Sequence, residues 1–174
     1  MFRPFIHSAL LFASVFVLAG SVFCSPKSAQ AQDIIMVRRM TMELAVEVAR
    51  TAVQSCRDAG YQASAVVVDR VGIVQAVVRD TLANRFTLQA AEGKANAVIL
   101  SGVNSSEFRA NRQDIRPEIN QIDGVLMMGG GVAIRAAGSI IGAVGVSGAP
   151  GGDKDEMCAT GGVESVQERL DFAD

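Results

Sequence analysis

The chain has almost no histidine. Among its 174 residues the single imidazole is that of His7, close to the N-terminus, and tryptophan is absent altogether. Catalytic triads and many zinc sites depend on an imidazole, which serves as a base or a ligand at neutral pH. A domain without the N-terminal segment contains no histidine, so it cannot use a histidine triad or a histidine zinc site.

Basic side chains are also few and scattered. Lysine and arginine together number 16 against 18 aspartates and glutamates, which gives a formal net charge of −2. A nucleic-acid-binding surface needs a cluster of basic residues, and the sequence contains none. No nucleic-acid partner is predicted.

The first 31 residues have the composition of a secretory signal peptide. Arg3 precedes an apolar run over residues 6–20, and small residues around Ala31 follow it. The run is shorter than the roughly 20 residues of a membrane-spanning helix. We therefore expect cleavage near Ala31, a periplasmic or secreted protein without a permanent membrane anchor, and a single domain over residues 32–174.

Two cysteines lie in this domain, Cys56 and Cys158. A disulfide between them would persist in an oxidising compartment. A buried free cysteine is also common, and a bridge requires the two Cα atoms to lie within a narrow range of distances. The sequence leaves both possibilities open.

The hydrophobic pattern predicts an α+β fold. Apolar residues recur every three or four positions in residues 41–59 and 84–100, which indicates amphipathic helices, and an acidic helix start follows the glycine-rich stretch near the C-terminus. Strands are predicted at residues 63–68, 73–78, 125–128, 132–136 and 140–146. Short connections make neighbouring strands antiparallel, so we expect a single antiparallel sheet of about five strands flanked by helices.

Glycine is concentrated in the last third of the chain, where 12 of the 17 glycines follow Ile122. Gly142 and Gly145 fall inside a predicted strand, where glycine weakens packing unless another backbone comes close. A helix packed on the sheet explains them, and so does a ligand. Gly138, in the preceding turn, is the residue expected to adopt a positive φ.

Three consecutive glycines suggest a binding surface. Gly129, Gly130 and Gly131 follow Met127 and Met128, so a wall without side chains lies beside two thioethers. A flat apolar ligand fits such a wall. The alternative is that both methionines fill the core, which is their commonest use.

Charged residues elsewhere in the chain are candidates for binding ligand carboxylates. Arg79, Lys94 and Arg135 are the cationic candidates, and Asp80 directly follows Arg79. Arginine is the better bidentate partner for a carboxylate. Lys94 can equally cover apolar surface with its stem at a helix edge, and Arg135 can be a solvated strand residue.

The stretch from Gly129 to Ala159, GGGVAIRAAGSIIGAVGVSGAPGGDKDEMCA, together with Arg79, Asp80 and the run 94–97, resembles the GlcG/HbpS family of small haem-binding or haem-degrading proteins. The resemblance extends over roughly residues 40–172. It implies a profilin-like arrangement of one antiparallel sheet and flanking helices, assembly into homo-oligomers, and haem or iron as ligand.

The resemblance and the residues together lead to a haem-binding hypothesis. A secreted protein would hold the macrocycle against the glycine-rich strands, with its propionates near Arg79 or Lys94. Without histidine the iron ligand stays open among Met127, Met128, Tyr61, Cys158 or a threonine hydroxyl. Binding is favoured over turnover, and iron-driven haem degradation is the enzymatic alternative. The alternatives are a non-haem protein that binds a small carboxylate such as a hydroxy acid, and an oligomeric accessory protein.

Overall fold

The computed structural model describes residues 35–173. The predicted signal peptide, residues 1–31, lies outside them. The elements in chain order are α1 Met42–Asp58, β1 Ser64–Asp69, β2 Val74–Arg79, α2 Phe86–Ser101, α3 Ser105–Asn111, a 3₁₀ turn Gln113–Ile115, α4 Arg116–Ile119, β3 Gly131–Ala136, β4 Ser139–Ser147 and α5 Gly152–Asp171. No helix within this part of the chain is long and apolar enough to span a membrane.

Helix α1 follows directly from local sequence. Thr41 is its N-cap, and the Thr41 hydroxyl oxygen accepts a hydrogen bond from the amide of Leu44 at 3.3 Å. The chain leaves the helix through Gly60 at φ +83°, a conformation that glycine adopts without strain. The predicted bounds of this helix are confirmed to within one residue.

The four strands form one sheet in the order β2-β1-β4-β3, and every neighbouring pair is antiparallel. The predicted α+β class is confirmed. The tight turn between β3 and β4 contains Ala137 at φ +43° and Gly138 at φ +79°, so the expected positive φ of Gly138 is confirmed too.

The strand predicted at residues 125–128 is not formed. This segment is a loop whose amides bond elsewhere, because the Leu126 amide donates to the Gly93 carbonyl at 2.9 Å and the Met128 amide donates to the Leu126 carbonyl at 2.8 Å. The described sheet therefore has four strands instead of about five.

Helices cover both faces of the sheet. Helices α1 and α5 pack together on one face, and α2 packs on the other. At Gly145 of β4 an added Cβ would overlap the backbone of α2 at Ala91 and Ala95. A closely packed helix therefore occupies the space beside Gly145, which is one of the two explanations that the sequence offered for a glycine in this strand.

A disulfide joins the two helices of the first face. Cys56 of α1 and Cys158 of α5 are bonded at 2.10 Å, with their Cα atoms 5.2 Å apart. The possibility left open by the sequence is thereby decided in favour of the bridge. Both cysteines are completely buried.

Candidate ligand-binding groove

A groove of about 710 Å³ runs between helix α1 and the edge strand β2. We call it the α1–β2 groove. It is lined by Met42, Glu43, Val46, Glu47, Arg50, Thr51, Val53, Gln54, Arg57, Val78 and Arg79. Its volume lies within the range of about 300–1,000 Å³ that is usual for small-molecule sites.

Helical periodicity places the charges of α1 along this groove. Glu43, Glu47, Arg50 and Arg57 are three, four or seven residues apart, so they project from the same side of the helix. The acids come first, and Arg50 lies about 10 Å along the axis from Glu43 at 1.5 Å per residue. Glu43 therefore marks an acidic end of the groove and Arg57 a basic end. Glu47, by contrast, is paired with Arg169 at 2.7 Å.

The floor of the groove is apolar. Val53 is buried, Val78 packs against the hydrophobic core, and Met42 and Val46 add exposed apolar surface to the lining. The groove thus combines apolar surface with charged groups at its rim, which is the usual composition of a site for an organic ligand.

A bidentate ion pair fixes the basic end. Arg57 donates from Nε and Nη2 to the two carboxylate oxygens of Asp80, each at 2.6 Å. The hydrogen bond from Arg57 is the main cause that lowers the pKa of Asp80, and it also raises the pKa of Arg57. The Asp80 side chain is 2% exposed and that of Arg57 is 49% exposed. Asp80 therefore positions a guanidinium whose other side remains open to the groove.

Arg79 lies beside this pair. Its Nη1 donates to the carbonyl oxygens of Ala83 and, at 3.5 Å, Thr81, so the side chain is anchored without being neutralised. Within residues 35–173, neither Arg79 nor Arg50 forms an ion pair. Their positive charge is available to an anionic ligand.

Lys94 occupies a different place from Arg79. Its ammonium donates to the Asp155 carboxylate at 2.6 Å and to the Val146 carbonyl at 3.0 Å, and its side chain is 1% exposed. The lysine therefore neither covers a helix edge nor faces the α1–β2 groove. It links α2 to the start of α5 through the interior.

The three consecutive glycines lie at the same interior junction. Gly130 has φ +119°, and a Cβ there would be 2.9 Å from the Lys94 ammonium and 2.8 Å from the Asp155 side chain. Gly131 lies against the backbone of α2, and Gly129 lies against Gly152. The open wall expected beside these glycines is thus filled by α2 and α5, because small residues let the helices approach.

The remaining predicted residues are dispersed. Met127 is fully buried and packs with Ala97 and Phe108, whereas Met128 is 40% exposed. Arg135 donates from Nη2 to the carbonyl of Gly102 at 2.8 Å, beyond the C-terminus of α2. The structure therefore brings Lys94 and the glycines together, brings Arg79 and Asp80 together, and leaves Arg135 apart from both groups.

Sequence reasoning missed Arg50, Arg57 and the apolar floor of the groove. The charges of α1 had a detectable signal, since two acids and then two arginines recur at helical spacing along one side of the predicted helix. The sequence contained no signal for the contact between that side of α1 and β2, because the contact depends on how the helix packs across the sheet.

Residues 40–164 match the family model described as haem degrading protein HbpS-like. The chain belongs to this family. The HbpS-like match covers well over half of the sequence and confirms the resemblance on which the haem hypothesis partly rests. Membership links the protein to haem-related function. No curated protein matches the chain.

Solved structures agree with this assignment. A double mutant of HbpS from Streptomyces reticuli is 31% identical, with a TM-score of 0.72 over 82% of this chain and 97% of that one. Protein ORFY from Klebsiella pneumoniae, at 21% identity and a TM-score of 0.72, covers 79% of this chain and 97% of its own. A PduOC:heme complex, at 20% identity and a TM-score of 0.65, covers 74% of this chain and 95% of its own. The latter two establish shared fold alone.

Proposed function

We propose that this HbpS-like protein binds haem in the α1–β2 groove and holds or buffers it outside the cytoplasm. The observation that carries the proposal is that three arginines, Arg50, Arg57 and Arg79, line an apolar groove. Haem is a flat apolar ring with two carboxylates on one edge. The donor set of the groove matches both parts of that molecule.

The charge pattern gives the ligand an orientation. The propionates lie toward Arg50, Arg57 and Arg79, where guanidinium groups can bind carboxylates in bidentate fashion. The ring lies over the apolar floor. Glu43 at the opposite end repels carboxylates, whereas Glu47 is already paired with Arg169 at 2.7 Å, so the reversed orientation is disfavoured mainly by Glu43.

The iron ligands available along the groove are weak. Met42 supplies a thioether and Thr51 a hydroxyl, while no histidine occurs in residues 35–173. Two earlier candidates are unavailable, since Cys158 is in the disulfide and Met127 is buried in the core. When bound, haem supplies the oxidative chemistry of its own iron. The residues of the chain bind and orient the haem. Because the described residues include no imidazole that could transfer protons, haem storage is favoured over efficient degradation.

A hemin titration tests the proposal. We expect a saturable shift of the Soret band, and a weakening of binding by about tenfold or more in Arg50→Ala/Arg79→Ala, since a hydrogen bond to a charged group contributes about 1.5–3 kcal/mol. Arg109→Ala/Arg112→Ala removes the same charge from exposed positions outside the groove. Spectra of free hemin at every ratio, or equal affinity in both double variants, would contradict the proposal.

A small carboxylate is the second candidate ligand. The half-exposed, pre-positioned guanidinium of Arg57 favours it, because such a group can bind any carboxylate. Thermal-shift assays separate the candidates, since a ligand that binds only the folded state raises the melting temperature. Stabilisation by hydroxy acids and none by hemin would favour the second.

Secretion and self-association complete the proposal. N-terminal sequencing of exported protein should locate cleavage near Ala31. Exposed apolar side chains in β2, in the following turn and at the start of α2, namely Val77, Leu82 and Phe86, support an accessory role as a homo-oligomer. Light scattering of the purified protein measures the mass directly, and a monomer at all concentrations would count against self-association.

A further inference from the structure

Both β-hairpins turn at the same end of the sheet. Asp69, the last residue of β1, pairs with Gly142 near the start of β4, so the β1–β2 turn lies beside the β3–β4 turn. The segment that precedes α1 crosses this end, since the Met40 side chain lies against Gly142. A groove of about 510 Å³ opens between them, and we call it the hairpin-end groove.

Two arginines from different segments line this groove. Arg38 comes from the segment before α1, Arg70 comes from the β1–β2 turn, and Ser139 adds a hydroxyl. The lining contains no carboxylate, and neither arginine forms an ion pair within residues 35–173. Asp69 does not neutralise them, because its carboxylate is buried and accepts hydrogen bonds from the amides of Val71 and Ile73.

Apolar side chains surround these cations. Ile141 is buried at the base of the groove, and Met36 and Val37 line it from the segment before α1. Met36 is 97% exposed. Val71 and Ile73, in the adjoining turn, are each more than 60% exposed. Apolar side chains left in water beside unpaired cations are characteristic of surfaces that meet a lipid headgroup region.

We propose that the hairpin-end groove binds the phosphate of an anionic lipid and holds this end of the molecule against a membrane surface. The forked guanidinium groups of Arg38 and Arg70 suit phosphate oxygens, and Ser139 donates a further hydrogen bond. Met36, Val37, Val71 and Ile73 lie along the acyl boundary. The groove is separate from the α1–β2 groove and shares no lining residue with it.

Vesicle co-sedimentation tests the proposal. Protein is purified after export, and intact mass identifies its N-terminus, because an uncleaved apolar leader would bind vesicles by itself. Vesicles of phosphatidylglycerol and phosphatidylcholine should bind the protein, and vesicles of phosphatidylcholine alone should bind it far less. Arg38→Gln/Arg70→Gln should weaken binding about thirtyfold, which is about 2 kcal/mol at 1.4 kcal/mol per factor of ten.

The matched control is Arg109→Gln/Arg112→Gln, which removes the same charge at exposed positions of α3 and its C-terminus. This control should bind as the wild type does. Equal losses in the two double variants, or equal binding to both kinds of vesicle, would overturn the proposal. Inorganic phosphate should release the protein no better than chloride of equal ionic strength. Stronger release would show that the groove takes the free anion, and would overturn the lipid assignment.

Discussion

Two acid–base pairs with the same chemistry have different consequences because their surroundings differ. Asp155 and Lys94 are both almost completely buried, so the pair is sealed from any ligand. Asp80 is equally buried, but its partner Arg57 is half exposed. The first pair therefore holds elements together, while the second presents a fixed charge to the α1–β2 groove.

Lys94→Met should destabilise the protein by about 3–5 kcal/mol in urea unfolding, because it leaves the Asp155 carboxylate buried without its cation. Lys94→Met/Asp155→Asn should recover part of this loss. In the wild type the backbone amide of Ala149 donates to the Asp155 carboxylate at 2.9 Å, and the side-chain oxygen of an asparagine can still accept that hydrogen bond. Lys154→Met, at the neighbouring, partly exposed lysine, should change stability by less than about 1 kcal/mol. A double variant less stable than the single one would contradict the assignment of a purely structural pair.

The Arg57–Asp80 pair should make stability depend on acid. Because Arg57 lowers the pKa of Asp80 below its usual value of 3.8, the folded state binds this proton less readily than the unfolded chain does. The contribution of the pair is therefore complete above that value and is lost as the pH falls below it. The stability difference between wild type and Asp80→Asn should be constant near neutral pH and shrink below about pH 4.

Asp114→Asn is the control for this pH series. Arg112 also lowers the pKa of Asp114, but the carboxylate is 65% exposed, so its pair contributes little at any pH. Urea unfolding at several pH values measures both variants. An Asp80→Asn difference that is unchanged down to the acid limit of folding would refute the linkage.

At the scale of elements, the close approach of α2 to β4 depends on Gly145. Gly145→Ala should destabilise the fold by about 1–3 kcal/mol, because the new methyl overlaps rigid backbone of α2 at Ala91 and Ala95. Gly161→Ala in α5 is the control. There the nearest atom is the rotatable hydroxyl of Ser55 at 2.5 Å, and alanine adds about 1 kcal/mol of helix propensity. Similar losses in both variants would show that overlap with α2 is not the cause.

Elements that depend on local signals could be predicted from the sequence, and their contacts could not. Helix α1 and both hairpins follow from periodicity, capping and turn residues that lie within a few positions of one another. The loop at residues 125–128 has strand-like composition, but its amides bond to α2 and within the loop itself. Lys94 likewise finds Asp155 at a sequence separation of 61 residues.

The residues of the candidate site likewise divide into those that the sequence predicted and those that it did not. Arg79 was predicted as a binding residue and lines the α1–β2 groove, whereas Asp80, also predicted, does not line it and instead holds Arg57. Their role in binding stays a prediction. Arg50 and Arg57 were not predicted, because only the packing of α1 beside the edge strand β2 brings them there. The glycine run signals close approach of a backbone, but local sequence does not state whether a ligand or a helix fills the space.

At the scale of the whole molecule, one covalent bond closes most of the described chain into a loop. The Cys56–Cys158 bridge spans 102 residues and includes all four strands. It connects α1 to α5 on the face of the sheet where these helices pack together. A crosslink across so long a loop removes much of the conformational freedom of the unfolded chain.

Cys56→Ala/Cys158→Ala should therefore lose about 4–5 kcal/mol of stability in the chain-entropy account of a loop of about one hundred residues. Urea unfolding measures the loss, and dithiothreitol should lower the stability of the wild type but not of the variant. Because Cys56 directly precedes Arg57, hemin affinity of the folded variant also shows whether the bridge helps to position the α1–β2 groove. Two titratable thiols per chain in the denatured, unreduced wild type would contradict the bridge, and a variant as stable as the wild type would contradict its energetic role.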